Sequence, residues 1–241
     1  MLRLILLSCA TCWLQVKVQA LDFSHDERYL ASLGGQDDNA IVLWDVDTGK
    51  AICGSPAHTN FSLTVKFYHN RNDKLITAGH YNLLTWEYDL PNNKLRKQEA
   101  QLGLLQRIVK TITIDQDDEY VYCGTTSGDV LQVALSTFLF KNQGPGKEPM
   151  QLGATATCAA PNGDMLVGGG DGTLVAMRTV SEPLPSNPRM LKRLAKLGSV
   201  KLEGTVTSIS FDQSSGRSFV FYVGTSACNI YKVTYEPLSS K

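Results

Sequence analysis

One strand end that keeps returning constrains this chain most. The run Ile41-Val42-Leu43-Trp44-Asp45 is apolar up to a Trp-Asp pair, and a polar turn, Val46-Asp47-Thr48-Gly49-Lys50, follows it. With Trp44 as the anchor, equivalent strand ends fall at Trp86, Val133, Met177 and Val233, at steps of 42, 47, 44 and 56 residues. A glycine lies nine residues before the anchor at Gly35, Gly124, Gly168 and Gly224. The second unit keeps the pattern as Leu75-Ile76-Thr77-Ala78-Gly79, with a turn two residues shorter. Polar turns such as Ser24-His25-Asp26-Glu27 and Pro161-Asn162-Gly163-Asp164 precede these strands, and alternating strands such as Val18–Phe23 precede the turns. Strand, turn, strand, turn, strand at this spacing is an antiparallel meander.

A four-stranded meander that ends in Trp-Asp every ~40–45 residues is the mark of a WD repeat, one blade of a β-propeller. The fold class is therefore all-β: a WD-repeat β-propeller of about five blades, each a four-stranded antiparallel meander, in approximate units 16–52, 60–98, 107–141, 152–180 and 189–236. Closed propellers use ~4–8 blades. Five could therefore close; if the blades are cut from a larger ring, as the family resemblance given below implies, their wedge angle is wrong to close as five, so an incomplete propeller is expected, with strand edges exposed. The repeat positions that carry this reading are Gly35, Asp38, Trp44, Asp45, His58, Trp86, Gly124, Gly168, Asp171 and Gly224. His58 occupies the offset of the Gly-His element of such repeats, and Asp38 and Asp171 lie six residues before their anchors. Their work is structural, pinning turns and satisfying buried polar groups.

Charge and cysteine usage narrow the function classes. Lys+Arg and Asp+Glu balance at 23 each, which speaks against a nucleic-acid platform or a polybasic membrane surface. Cys9, Cys12, Cys53, Cys123, Cys158 and Cys228 are scattered, and several sit at strand positions where cysteine acts as a small buried hydrophobe. Cys9-x-x-Cys12 has no second pair at zinc spacing, so reduced thiols of a cytosolic protein fit best. Met1 to Ala20 carries a short apolar run with small or aliphatic residues before Leu21 and resembles a signal peptide. Cleavage there would remove the start of the first blade's strand. The preferred reading is a non-homologous or truncated start over residues 1–15, or the last strand of a preceding blade; a secreted propeller is the alternative.

No catalytic, cofactor or metal site is expected. His25, His58, His69 and His80 form no His-x-His or His-x-x-x-His pair, and no Gly-x-Ser-x-Gly elbow occurs. Gly168-Gly169-Gly170-Asp171-Gly172-Thr173 lacks the Lys-Ser/Thr of a phosphate loop and reads as a hairpin turn, leaving no small-molecule substrate in view. Asp115, Asp117, Asp118 and Glu119 lack the glycine and terminal glutamate of a calcium loop, so a solvated tip is expected. Proline density makes 142–149 and 182–188 surface loops. The basic stretch from Arg189 to Lys201 reads as a solvated strand beside a loop, with a contact for an acidic partner as the alternative. Asn60-Phe61-Ser62 is a glycosylation sequon that decides nothing without proof of secretion.

Off-consensus stretches point further. Ser32-Leu33-Gly34-Gly35-Gln36-Asp37-Asp38 running on to Trp44, Ala51-Ile52-Cys53-Gly54-Ser55-Pro56-Ala57, Asp89-Leu90-Pro91-Asn92-Asn93-Lys94 and Gly124-Thr125-Thr126-Ser127-Gly128-Asp129 are details a generic WD repeat does not require. In them, from about Val16 to Tyr235, the chain resembles the cilia- and flagella-associated WD-repeat family with two tandem propellers. The resemblance implies a non-enzymatic scaffold of the cytoplasm and cytoskeleton, placed in the axoneme of cilia and flagella, binding tubulin and other proteins inside doublet microtubules. The family is much longer than this chain, and only about five blades of its first propeller are represented. A ubiquitin-ligase substrate receptor is the competing adaptor reading. Such receptors often carry Trp-Asp-x-Arg, and the arginine is absent after both Trp44-Asp45 and Trp86-Glu87.

Overall fold

Alternating apolar residues between polar turns give nineteen strands among the described residues in a computed structural model of the chain, which describes residues 17–56, 60–146, 148–184, 187–212 and 219–236, with the backbone alone for 182–184 and 187–191. The first sheet is β1 (Val18–Phe23), β2 (Tyr29–Gly34), β3 (Ala40–Asp45) and β4 (Lys50–Pro56), hydrogen-bonded in that order. The second is β5 (Ser62–Phe67), β6 (Lys74–Gly79), β7 (Leu83–Asp89) and β8 (Lys94–Glu99). The third is β9 (Val109–Ile114), β10 (Tyr120–Thr125), β11 (Val130–Ala134) and β12 (Leu139–Gly144). The fourth is β13 (Ala154–Ala159), β14 (Met165–Gly169), β15 (Thr173–Leu184) and β16 (Asn187–Lys201). The fifth is β17 (Val206–Asp212), β18 (Phe219–Thr225) and β19 (Ile230–Tyr235). These are sequential meanders of an all-β propeller, and the fold class read from the repeat holds.

Burial follows strand position. The second strand of a blade is covered on both faces, so β2 is buried along its whole length. The fourth strand has one face to solvent, so β8 is exposed at nearly every residue. The anchors occupy one register: Leu30 faces Trp44, Leu75 faces Trp86, Met165 faces Met177 and Phe221 faces Val233. A residue with positive φ lies five positions before every anchor: Asn39 (38°), Tyr81 (55°), Gly128 (84°), Gly172 (85°) and Cys228 (62°). The turn from second to third strand needs one left-handed residue, which glycine or asparagine supplies at least cost.

The chain divides into two compact units, 1–121 with 133–140, and 122–132 with 141–241, the division falling within the third blade. In the first unit, Ala31, Leu33, Ile41 and Leu43 of the first blade pack with Val65, Leu75, Leu84 and Trp86 of the second. In the second unit, Leu166 and Leu174 pack with Val206, Phe221 and Val223.

Three expectations change. Residues 182–184 and 187–188 are not loop: Pro183 pairs with Met190 in an extended antiparallel ribbon of β15 and β16. Proline is tolerated where its missing N–H faces away from a ladder. Asn142 to Gly144 likewise close β12 instead of opening a loop. The stretch from Arg189 to Lys201, assigned by spacing to the fifth blade, is the outer strand of the fourth, pairing from Leu191 with Glu182 to Lys201 with Thr173. The 56-residue step is long because of this ribbon, and the fifth sheet has three strands among the described residues rather than four. His58, Cys9, Cys12 and residues 1–16 of the signal-like segment lie outside the described residues; its last residues, from Val18, open β1.

Candidate interaction surface

Several of the repeat positions make defined contacts. The indole N–H of Trp44 donates to Ser32 Oγ at 2.7 Å, and that of Trp86 to Thr77 Oγ1 at 2.9 Å. Each bond ties a third strand to its second inside an apolar wall. Asp45 accepts from the N–H and hydroxyl of Thr48 at 2.8 and 2.7 Å, and these bonds hold its carboxyl below the usual range. Asp171 accepts from Thr173 N–H at 3.1 Å, from Thr173 Oγ1 at 2.7 Å and from Lys201 Nζ at 2.7 Å. Burial alone would push Asp171 up; these donors outweigh it and bring it to about 2. A Cβ at Gly34 would collide with the Asp38 carboxylate, so glycine there lets Asp38 fold back over its turn. Gly124, Gly168 and Gly224 lie in β10, β14 and β18, and Gly35 follows β2. A Cβ at Gly168 would strike Val206 of the next blade, whereas at Gly224 it would meet Ser208 Oγ.

The structure adds seams between blades that repeat spacing does not reveal. In the first unit, Asp22 accepts from Phe67 N–H at 2.7 Å and from Lys66 Nζ at 2.7 Å. Asp118, read as part of a solvated tip, accepts from His69 N–H at 2.8 Å and Asn70 N–H at 2.7 Å of the neighbouring blade. In the second unit, Asp164 is enclosed and accepts from Arg178 Nε and Nη2 at 2.5 and 2.7 Å, from Asn162 at 2.6 Å and from the Tyr235 hydroxyl at 2.6 Å. Burial alone would raise the Asp164 carboxyl, but these donors together hold it below its ordinary value. Burial, reinforced by the bond to Asp164, pushes Tyr235 up to about 12. Burial also lifts the Cys53 thiol to about 11 and Cys123 to about 12, which makes both inert packing groups.

Two concavities stand out. In the first unit a cavity of about 570 Å³ lies where the second-to-third-strand turns of the first two blades meet, lined by Asp37, Asp38, Asn60, Phe61, His80 and Tyr81. In the second unit a smaller, apolar one of about 270 Å³ is lined by Leu166, Leu174, Ala176, Val200, Val233 and Tyr235. Exposed apolar residues lie both in turns, such as Tyr81 and Leu104 in the first unit and Leu152 in the second, and on strands, such as Phe23 and Ile230, with Leu104 fully exposed at 101 %. Among the described residues no group of three or more His, Cys, Asp or Glu is placed to hold a metal, and no helix is long and apolar enough to cross a membrane. Such a surface of turns and shallow pockets can bind other chains.

The chain is 56 % identical over 218 residues to "Cilia- and flagella-associated protein 52" of Chlamydomonas reinhardtii, covering 90 % of this chain and 33 % of that protein. The proteins of the same name from Bos taurus and Homo sapiens are 39 % and 38 % identical over 222 residues, 91 % of this chain and 33 % of each relative. The chain thus spans about one third of the length of the curated relatives it matches. No family model matches. Among solved structures, the β-propeller domain of Cps50 (Swd1) from Myceliophteria thermophila superposes with a TM-score of 0.65 at 12 % identity, over 90 % of this chain and 73 % of that one. At that identity the likeness speaks for the fold alone.

Proposed function

Since this chain belongs with the cilia- and flagella-associated WD-repeat proteins, we propose that it is a non-enzymatic scaffold of the axoneme that binds tubulin and neighbouring proteins of the doublet microtubule. The observation that carries this reading is the 56 % identity to the algal relative, sustained over 90 % of the chain. The family gives the cilium or flagellum; tubulin, the doublet and the scaffold role are the proposed extension. The chemistry agrees with it. Turn residues such as Tyr81 and Leu104 offer apolar contact area to partners, and rigid sheets hold them in place.

The test is a tagged full chain expressed in ciliated cells, followed by detergent and salt extraction of isolated axonemes. The proposal expects the chain in the pellet with doublets after membrane and matrix proteins are released. A chain confined to the soluble fraction and absent from axonemes overturns it.

A further inference from the structure

The cavity between the first two blades has a chemistry that the scaffold reading leaves unused. Its rim carries a bulky aromatic residue in a backbone conformation that suits small ones. Tyr81 has φ of 55° and is 53 % exposed, while the same repeat position elsewhere holds Asn39, Gly128, Gly172 and Cys228. A large residue in the left-handed region is an outlier that costs stability, and such strain concentrates at binding sites. Here it gains little core packing, because about half of the residue is exposed.

The rest of the pocket is pre-organised around that ring. The Tyr81 N–H donates to the Arg107 carbonyl at 3.1 Å, which ties the turn to the next blade's entry loop. The Asn82 side-chain amide donates to the carbonyls of Asn60, Phe61 and His80 at 3.2, 3.3 and 3.1 Å. From the facing turn, Asn39 Nδ2 donates to the Asn60 carbonyl at 2.9 Å, and Asn39 Oδ1 accepts from Ser62 N–H at 3.2 Å. Three rings stand in sequence on this frame: Phe61 and His80 with centroids 5.7 Å apart, His80 and Tyr81 edge to face at 6.5 Å. Asp37 lines the same pocket as these rings, is exposed and makes no hydrogen bond or ion pair among the described residues.

Aromatic rings and an exposed carboxylate lining one pocket are complementary to a cation that is itself flat. A guanidinium stacks on a ring through its plane and presents its edge as a fork to a carboxylate, which an ammonium cannot do. We propose that this pocket receives an arginine side chain of a partner polypeptide, its guanidinium lying on the Tyr81 ring and its edge facing Asp37. The proposal is independent of the partner's cellular identity. A chain that enters axonemes but ignores arginine defeats it alone, and a chain that binds arginine but stays out of axonemes defeats only the ciliary reading.

The test uses the full chain and two capped tripeptides, glycyl-arginyl-glycine and its citrulline counterpart, which keeps the shape of arginine without the charge. Magnetic-resonance titration follows the amide and ring signals of Asp37, His80 and Tyr81. The arginine peptide is expected to produce saturable shifts confined to these residues, with citrulline at least about tenfold weaker. Asp37→Asn, at an exposed site where folding is not at stake, is expected to weaken arginine binding about tenfold. Tyr81→Asn, which the left-handed turn accepts, is expected to do the same. Equal response to citrulline, shifts elsewhere on the surface, no saturable shift, or unchanged binding in both variants would overturn the proposal.

Discussion

The second blade and the fourth solve one problem with opposite chemistry. Both must pin a third strand to its second at the anchor position. In the second blade a fully buried Trp86 fills the site and spends its indole N–H on Thr77. In the fourth the anchor is Met177, which has no hydrogen bond to give; the neighbouring Arg178 instead reaches across the sheet to Asp164, which also takes the Tyr235 hydroxyl from the fifth blade. One solution is apolar burial with a single polar bond. The other is an ion pair whose enclosed carboxylate takes two further donors, Asn162 and Tyr235. A degenerate repeat keeps its register because either arrangement satisfies its own buried polar groups. The difference is in what each responds to: burial is indifferent to pH, and an ion pair is not.

Removing the larger anchor breaks the comparison most severely. Trp86→Ala empties a site with no solvent access and orphans Thr77, so the chain should lose about 3–5 kcal/mol, read as a fall in the urea midpoint. Arg178→Met keeps the stem and removes the charge, leaving Asp164 enclosed without its cation. The expected loss is about 3 kcal/mol, at the low end for a buried pair because Arg178 is itself 29 % exposed.

Acid and alkali sharpen the same contrast. The folded-state carboxyl of Asp164 lies below its ordinary value, so its contribution is present above the usual carboxylate range and is lost as pH falls through the folded value. Tyr235 is raised, so its contribution is whole below the usual tyrosine pKa of about 10 and fades as pH climbs toward about 12. Urea midpoints should therefore decline at both ends, and Tyr235→Phe should flatten the alkaline limb between those values. An unchanged alkaline limb in that variant would remove the ion-centred account of the fourth and fifth blades. The smallest effect is a gain. Cys228 adopts φ of 62° at an exposed turn, so Cys228→Gly should raise stability by about 0.5–1 kcal/mol in thermal or urea unfolding.

Much of the repeat was legible because it is local. Glycine and anchor recur within nine residues, and a hairpin turn such as Gly170-Asp171-Gly172 announces itself through residue type. What the sequence concealed is long-range or chemically disguised. Tyr235 and Asp164 lie 71 residues apart and meet only because blades four and five pack together. Asp22 and Phe67 are 45 apart and meet in the same way. Proline counting misread the ribbon of β15 and β16, since Pro183 sits within a strand that pairs with Met190 and not within a loop. Tyr81 was invisible as a turn residue because a left-handed tyrosine contradicts every propensity; only its position, five before Trp86, could have marked it. The Asp118 contacts to His69 and Asn70 were hidden in an acidic run that resembles any solvated tip.

Hydrogen exchange of the unsubstituted chain and Arg178→Met at neutral pH tests the central claim most directly, that the two regions hold one register by different chemistry. The account predicts that the variant loses amide protection in β14, β15, β18 and β19 while β2, β3, β6 and β7 keep theirs. Equal loss in both sets, or none in the fourth and fifth blades, would contradict it.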